Sequence, residues 1–215
     1  MRSQPVRPEL VRVAIVDDHE AVRAGLERFL RGRPWIELVA SHADDRGLLA
    51  LMDCRRVDVA VLDYDLGAND GLDLTLRIKQ RFSPPAVAIY SGYAGAGIAV
   101  AAAAAGADAI VNKAERVSRL IETIERLAAG ERLLAEPSRD MRELACSRLH
   151  DEDLAVMSLL LERVRAAEIA TVLGLDEQEA LRRARRVVAM LQATASRPDG
   201  VQHPYRAAAA TGTVE

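Results

Sequence analysis

Residues 57–71 read VDVAVLDYDLGANDG. An apolar run from Val57 to Leu62 stops abruptly at Asp63, and a turn-forming stretch with Gly67, Asn69 and Gly71 follows. A short run that is apolar at nearly every position predicts a strand covered on both faces, as in a parallel sheet. Four other runs share this character. VRVAIV at 11–16 ends in Asp17-Asp18, IELVA spans 36–40, AVAIY at 86–90 runs into Ser91, and a brief strand at Ala109–Val111 precedes Lys113. Helical patterns lie between and after them, at about 19–30, 44–54, 72–82, 96–105 and 118–129, with breaks at Gly32–Pro34, Pro84-Pro85, Gly106 and Gly130. A βα unit repeated five times predicts an α/β domain over 11–130, built on a five-stranded parallel doubly wound sheet.

After residue 130 the pattern changes. Residues 131–147 are mixed and broken by Pro137, so they read as a linker with room for one helical piece. Residues 148–195 contain no strand-like run and divide into three helices, Asp151–Leu161, Ala166–Leu173 and a third running to about Thr194. Asp176-Glu177-Gln178-Glu179 opens the third as a capping box with Asp as N-cap. This predicts a small all-α helix-turn-helix domain. The tail, 196–215, has no periodic apolar face and is expected to lack fixed structure.

Composition narrows the classes. With 50% hydrophobic and 28% charged residues among 215, a wholly disordered chain is excluded. Only 3% are aromatic, so Ala, Val, Leu and Ile must fill the cores. The net charge of −3 gives no global attraction to nucleic acid or anionic membrane. Cys54 and Cys146 match no metal or redox spacing and read as thiols of a reducing cytosol. The first ten residues lack the apolar core of a signal peptide, and no run is long enough to cross a bilayer, which predicts a cytoplasmic protein. Of 29 basic residues, only Lys79 and Lys113 are lysine. Where arginine is the default cation, a lysine marks a position to follow.

In a doubly wound sheet, chemistry gathers at the carboxyl ends of the strands. Asp17, Asp18 and Asp63 follow strands directly, and Ser91 and Lys113 sit on the same edge. Clustered carboxylates repel and call for a cation; a hard ion with oxygen ligands and phosphate partners, Mg²⁺, fits best. Lys113 and the Ser91 hydroxyl could then hold a phosphoryl group while a carboxylate attacks it, with Asp63 the best-placed nucleophile. Any one Asp after a strand is more often a helix cap. Five such groups spread over four βα boundaries outweigh that reading.

The acid pair, VLDYDLGANDGLDL around Asp63, AIYSG around Ser91 and GADAIVNKA around Lys113 resemble the receiver domains of two-component response regulators, over residues 11–130. The resemblance implies a flavodoxin-like fold, with Mg²⁺ held by Asp18, Asp63 and the backbone carbonyl of Asp65, and Asp17 assisting through water. It implies that Asp63 accepts phosphate from a sensor histidine kinase while Ser91 and Lys113 bind the phosphoryl oxygens. Gly71 and Gly92 also match. Three positions depart from the pattern: Ile110 replaces the usual switch aromatic, Gly67 a common proline, and Asp65 adds a carboxylate beside the pocket.

On the third C-terminal helix, Leu181, Ala184, Val187, Val188 and Leu191 cluster on one side, with Arg182, Arg183, Arg185 and Arg186 on the other. A solvent-facing arginine row on a recognition helix could contact phosphates and guanine edges of double-stranded DNA. It is equally an ordinary solvated face, since residues 148–194 carry seven basic and eight acidic groups. Leu149, Glu168-Ile169-Ala170 and Leu173-Gly174-Leu175 resemble the LuxR-type helix-turn-helix of NarL/FixJ-type regulators, with Leu181 where a DNA-contacting lysine is common and Arg185 retaining a basic contact. Together the resemblances imply a phosphorylation-controlled transcriptional regulator, not an enzyme, acting as a homodimer. Two other readings stand beside it. The C-terminal domain could serve protein interaction, or bind DNA independently of phosphorylation. VAVLDYDLG also loosely resembles the Asp-x-Asp motif of haloacid-dehalogenase phosphatases, but that family places the motif on its first strand.

Overall fold

The computed structural model describes residues 10–67, 69–92 and 96–194. The apolar runs form strands β1 (Val11–Val16), β2 (Ile36–His42) and β3 (Val59–Asp63). A two-residue ribbon, β4 (Asp65–Leu66) and β5 (Asn69–Asp70), comes next, then β6 (Ala86–Ser91) and β7 (Ala109–Asn112). The five long strands make one parallel sheet in the order β2-β1-β3-β6-β7. Chain order reverses beside β1, and the crevice at that point receives the residues that follow β1 and β3.

Helices α1 (Glu20–Arg31) and α5 (Val117–Ala128) pack on one face of the sheet. Their buried stripe is aliphatic, with Leu26, Leu30, Leu120, Ile124 and Leu127 against Val13, Ile15 and Val61. The other face takes α2 (Leu48–Cys54), α3 (Gly71–Arg81) and α4 (Ala96–Ala105). Helix α2 starts later than the sequence pattern suggests. Asp44 turns its carboxylate onto the Arg46 N–H at 3.0 Å, and such a local side-chain bond competes with a helical turn.

The C-terminal helices are α6 (Arg139–Cys146), α7 (Asp151–Leu161), α8 (Ala166–Leu173) and α9 (Glu177–Thr194). Helix α6 is the helical piece for which the linker had room. Helix α8 ends at Gly174, whose φ of 66° is the left-handed conformation that closes helices. At α9, Asp176 accepts the Glu179 N–H at 2.8 Å, but the Glu179 carboxylate takes Arg182 and Arg183, leaving the reciprocal half of the expected capping box unmade. The tail expected at 196–215 lies outside the described residues.

The C-terminal helices share a core with the sheet domain. One continuous apolar cluster joins Val100, Ala101, Ala104 and Ala105 of α4 to Val156, Met157, Val187 and Leu191 of α7 and α9. The sequence of α4 explains this: AGIAVAAAAA carries no charge on any side, and a helix apolar all round must be covered all round. Helices α9, α3, α7 and α6 pack against it and supply that cover.

Candidate functional site

The site begins with what holds Asp63 still. Asp63 ends β3 with its side chain 1% exposed. The chain then turns through β4 and β5 and returns, so that the Gly71 N–H donates to the Tyr64 carbonyl at 3.1 Å. A Cβ at Gly71 would lie 2.0 Å from the Asp63 carbonyl oxygen, so only glycine lets α3 start there. Gly67 forms the ribbon's turn with φ of +74°, a value closed to proline, which accounts for the departure at that position.

Lys113 reaches the pocket from the turn after β7. Its ammonium lies 2.6 Å from Asp63 Oδ2 and 2.8 Å from Asp17 Oδ2, and 5.6 Å from the Tyr90 ring centre. Its backbone N–H donates to the Ser91 carbonyl at 2.8 Å, tying the ends of β6 and β7 together. Burial drives the Asp63 carboxyl up to about 6, with Asp17 adding to the rise and Lys113 opposing it. For Lys113, burial works against the charge, but Asp63 and Asp17 outweigh it and hold the ammonium above its ordinary value.

Four of the five edge groups expected from the sequence are thus placed together: Asp17, Asp18, Asp63 and Lys113. Ser91 is wholly buried at the end of β6 on the same edge. The added carboxylate of Asp65 does not join the pocket; it accepts the Gly67 N–H at 3.2 Å, and the Asp65 N–H donates to Asp63 Oδ1 at 3.4 Å. The carboxylates of Asp17, Asp18 and Asp63 bring oxygens within 4.8 Å of one another, with the Lys113 ammonium as the cation that now sits against Asp17 and Asp63. Oxygen ligands gathered in this way are what a hard divalent cation takes, so the donor set fits the Mg²⁺ expected from the sequence.

One member of the pocket was missed. His19, directly after the acid pair, has its Nδ1 2.7 Å from Asp18 Oδ1, 3.5 Å from Asp17 Oδ1 and 3.6 Å from Asp63 Oδ2. The signal was present: a histidine at the N-cap of α1, where it makes no side-chain cap bond.

The arginines of α9 keep much solvent exposure, 63% at Arg182, 47% at Arg185 and 43% at Arg186 against 20% at Arg183, but each is engaged in an ion pair. Arg185 forms a two-bond ion pair with Asp73 of α3 at 2.7 and 3.0 Å. Arg186 does the same with Asp153, whose side chain is 0% exposed, at 2.9 and 2.7 Å. Arg183 reaches Glu179 and Glu152, and Arg182 reaches Glu179. Asp108 makes a further junction. It accepts from Lys79 at 2.6 Å, from the Val87 N–H at 2.8 Å and from Arg163 of the α7–α8 turn at 2.7 Å. The second of the two lysines therefore lies under the domain junction, with its ammonium also on the Pro85 carbonyl at 2.8 Å.

Comparison with known proteins gives concordant matches. The response regulator receiver domain family matches residues 13–125. The nitrate/nitrite response regulator protein NarP of Escherichia coli (strain K12) is 31% identical over 177 residues, 78% of this chain and 82% of its own. The DNA-binding transcriptional activator DevR/DosR of Mycobacterium tuberculosis is 29% identical over 192 residues, 85% of this chain and 88% of its own. The transcriptional regulatory protein LiaR of Bacillus subtilis is 27% identical over 122 residues, which is only 58% of LiaR's length. Among solved structures, RcsB of Salmonella enterica serovar Typhimurium bound to promoter P1flhDC superposes with a TM-score of 0.55 at 21% identity, covering 92% of this chain and 95% of RcsB. That likeness supports the fold.

Proposed function

Because the chain belongs to the response regulator receiver domain family, and to its NarL/FixJ type, we propose that it is a transcriptional regulator switched by phosphoryl transfer to Asp63. The observation that carries this reading is the buried Asp63 carboxylate 2.6 Å from the Lys113 ammonium, at the sheet's carboxyl edge. A phosphohistidine of a sensor histidine kinase is the donor. An Asp63 oxygen attacks phosphorus, the bond to the kinase imidazole breaks, and an acyl phosphate is left on Asp63. Lys113 pairs with a phosphoryl oxygen in place of the carboxylate it now holds, and the Ser91 hydroxyl donates to another. Asp18, Asp63 and the Asp65 carbonyl, with Asp17 through water, would hold Mg²⁺, which would supply charge neutralisation for the phosphoryl oxygens.

The units of this reading are a receiver over 11–130, a linker over 131–147 and a helix-turn-helix over 148–195, in a cytoplasmic chain that binds double-stranded DNA as a homodimer. Arg182, Arg183, Arg185 and Arg186 are its DNA contacts. The arrangement described here is a closed state, since Arg185 is held by Asp73 and α9 rests on α3 and α4. Phosphorylation removes the Asp63 partner of Lys113 and biases the α3–α4 face towards release of α9.

The test uses acetyl phosphate and Mg²⁺ on the full chain. Wild type gains one phosphoryl mass, Asp63→Asn gains none, and promoter binding rises with the modified fraction. Equal labelling of Asp63→Asn sinks the proposal. A second reading is favoured by the ion-paired arginines of α9, with Leu181 where a basic contact is usual. In it the C-terminal domain stays docked and serves protein interaction. Random duplex titrated across a salt series decides, because electrostatic binding strengthens steeply at low salt. No binding even at low salt selects the second reading.

A further inference from the structure

The acid pocket holds one side chain that the phosphoryl reading does not use. His19 is the N-cap of α1, with an extended backbone at φ −82° and ψ 107°. Its backbone N–H is anchored on Asp17 Oδ1 at 2.9 Å. The imidazole does not cap the helix but turns into the pocket, its side chain 16% exposed and its Nδ1 within 3.6 Å of an oxygen from each of Asp17, Asp18 and Asp63. One ligand atom from each of these four residues can be chosen so that all lie within 4.8 Å of one another. Ligands bound to one divalent ion at about 2.1 Å are separated by roughly 3 Å when adjacent and about 4.2 Å when opposite. The four residues lie within a small adjustment of that spacing.

We propose that His19 is a ligand of the pocket's cation, making it a mixed nitrogen–oxygen centre that favours a divalent transition ion, Mn²⁺ or Zn²⁺, over Mg²⁺. This rests on the reading of the pocket as a cation site but not on Asp63 being phosphorylated. Mg²⁺ takes oxygen ligands and keeps several waters, whereas imidazole suits the borderline ions. A carboxylate site prefers transition ions to some degree already, so the inference concerns how much of that preference His19 supplies. Nδ1 is the atom placed for the work, and the anchored backbone holds it there without a long loop to order.

The experiment compares chelator-stripped full-length wild type with His19→Ala, titrating MgCl₂, MnCl₂ and ZnCl₂ separately by calorimetry. The expected result is a loss of about tenfold or more in Mn²⁺ and Zn²⁺ affinity on substitution, against less than about threefold for Mg²⁺. Pulsed electron paramagnetic resonance of the Mn²⁺ form then shows nitrogen coupling in wild type and none in His19→Ala. A thermal melt of both proteins without metal checks that the substitution leaves the fold intact. His19→Gln, which offers an oxygen donor of similar length, keeps Mg²⁺ affinity near wild type and shows no imidazole nitrogen coupling.

Three outcomes overturn the inference: an unchanged Mn²⁺-to-Mg²⁺ ratio, a wild-type spectrum without nitrogen coupling, or a gain in affinity for every ion in His19→Ala. The last would mean that the imidazole fills the cation's place as a counter-ion and is displaced by metal. If acetyl phosphate fails to label Asp63 while Mn²⁺ affinity still depends on His19, the phosphoacceptor reading falls and this one stands. The converse result reverses the two.

Discussion

At the residue scale, Asp63 sits in the pocket at a cost that pH reveals. Burial lifts its pKa from 3.8 to about 6, so the folded protein holds that proton more tightly than the unfolded chain. The stability this contributes is fully present below about 4 and is lost as pH rises through about 6. In chelator, wild type should therefore lose up to about 3 kcal/mol relative to Asp63→Asn across that window. Urea unfolding at a series of pH values measures it, and parallel curves for the two proteins would refute it. Gly71→Ala tests the neighbouring constraint. A Cβ would meet the Asp63 carbonyl at 2.0 Å, which forces β3 and α3 apart. We expect a loss of about 3 kcal/mol or more and a matching loss of phosphoryl labelling, because the displaced backbone carries the nucleophile. Asp17 and Asp63 were legible in the sequence because each follows an apolar run directly, and Lys113 because it lies just past one. His19 was not singled out, since one histidine beside two acids carries no spacing that separates a ligand from a cap.

At the element scale, the four arginines of α9 divide by what their partners lose. Arg182 pairs with Glu179 one turn away, and its side chain is mostly exposed. Replacing it with alanine should change stability by no more than about 0.5 kcal/mol. Arg186 neutralises Asp153, which is fully buried, and its removal strands a carboxylate in the core. Arg186→Ala should cost about 3 kcal/mol, and Asp153→Asn in the same chain should recover part of it. Denaturant midpoints for the three variants decide; equal losses at Arg182 and Arg186 would refute the division. Helical periodicity placed these residues on the polar side of α9 correctly. It could not show that their partners lie on α3 and α7, because pairs such as Arg185 and Asp73 are remote in sequence. The strands and helices themselves were legible to within a few residues, since each apolar run is bounded by Gly, Pro or Asp. Helix α2 is the exception, where Asp44 satisfies a backbone N–H in place of a helical turn.

At the scale of the molecule, the balance between docked and released C-terminal helices follows from a large apolar contact and a few polar ties. Helix α4 has no polar side to show to water, so release exposes Val100 and the alanines around it unless another surface takes over. The polar ties are Arg163 to Asp108, the Ala166 N–H to Gln80 and Arg185 to Asp73. Arg163 also donates to the Ala107 carbonyl at 2.6 Å, and it holds a φ of 62°, which is costly for a residue with a side chain. A docked position that tolerates this strain relies on what the guanidinium gains there. Arg163→Ala removes that gain and frees Asp108 Oδ1, while Lys79 and the Val87 N–H still hold Oδ2, so the receiver keeps its fold. Combined with Asp73→Ala, which frees Arg185, it should shift the balance towards the released state by about 1–3 kcal/mol, a factor of roughly 5 to 150. Small-angle scattering should then show a larger radius of gyration without phosphodonor, and promoter affinity should rise in the same proportion. If the double variant expands but gains no affinity, the arginines of α9 are not the DNA contacts. If it neither expands nor gains, the apolar seam on α4 together with the remaining Ala166 N–H to Gln80 bond holds the domains, and a signal at Asp63 must act through α4 itself, whose alanines leave little room for a shift without loss of packing.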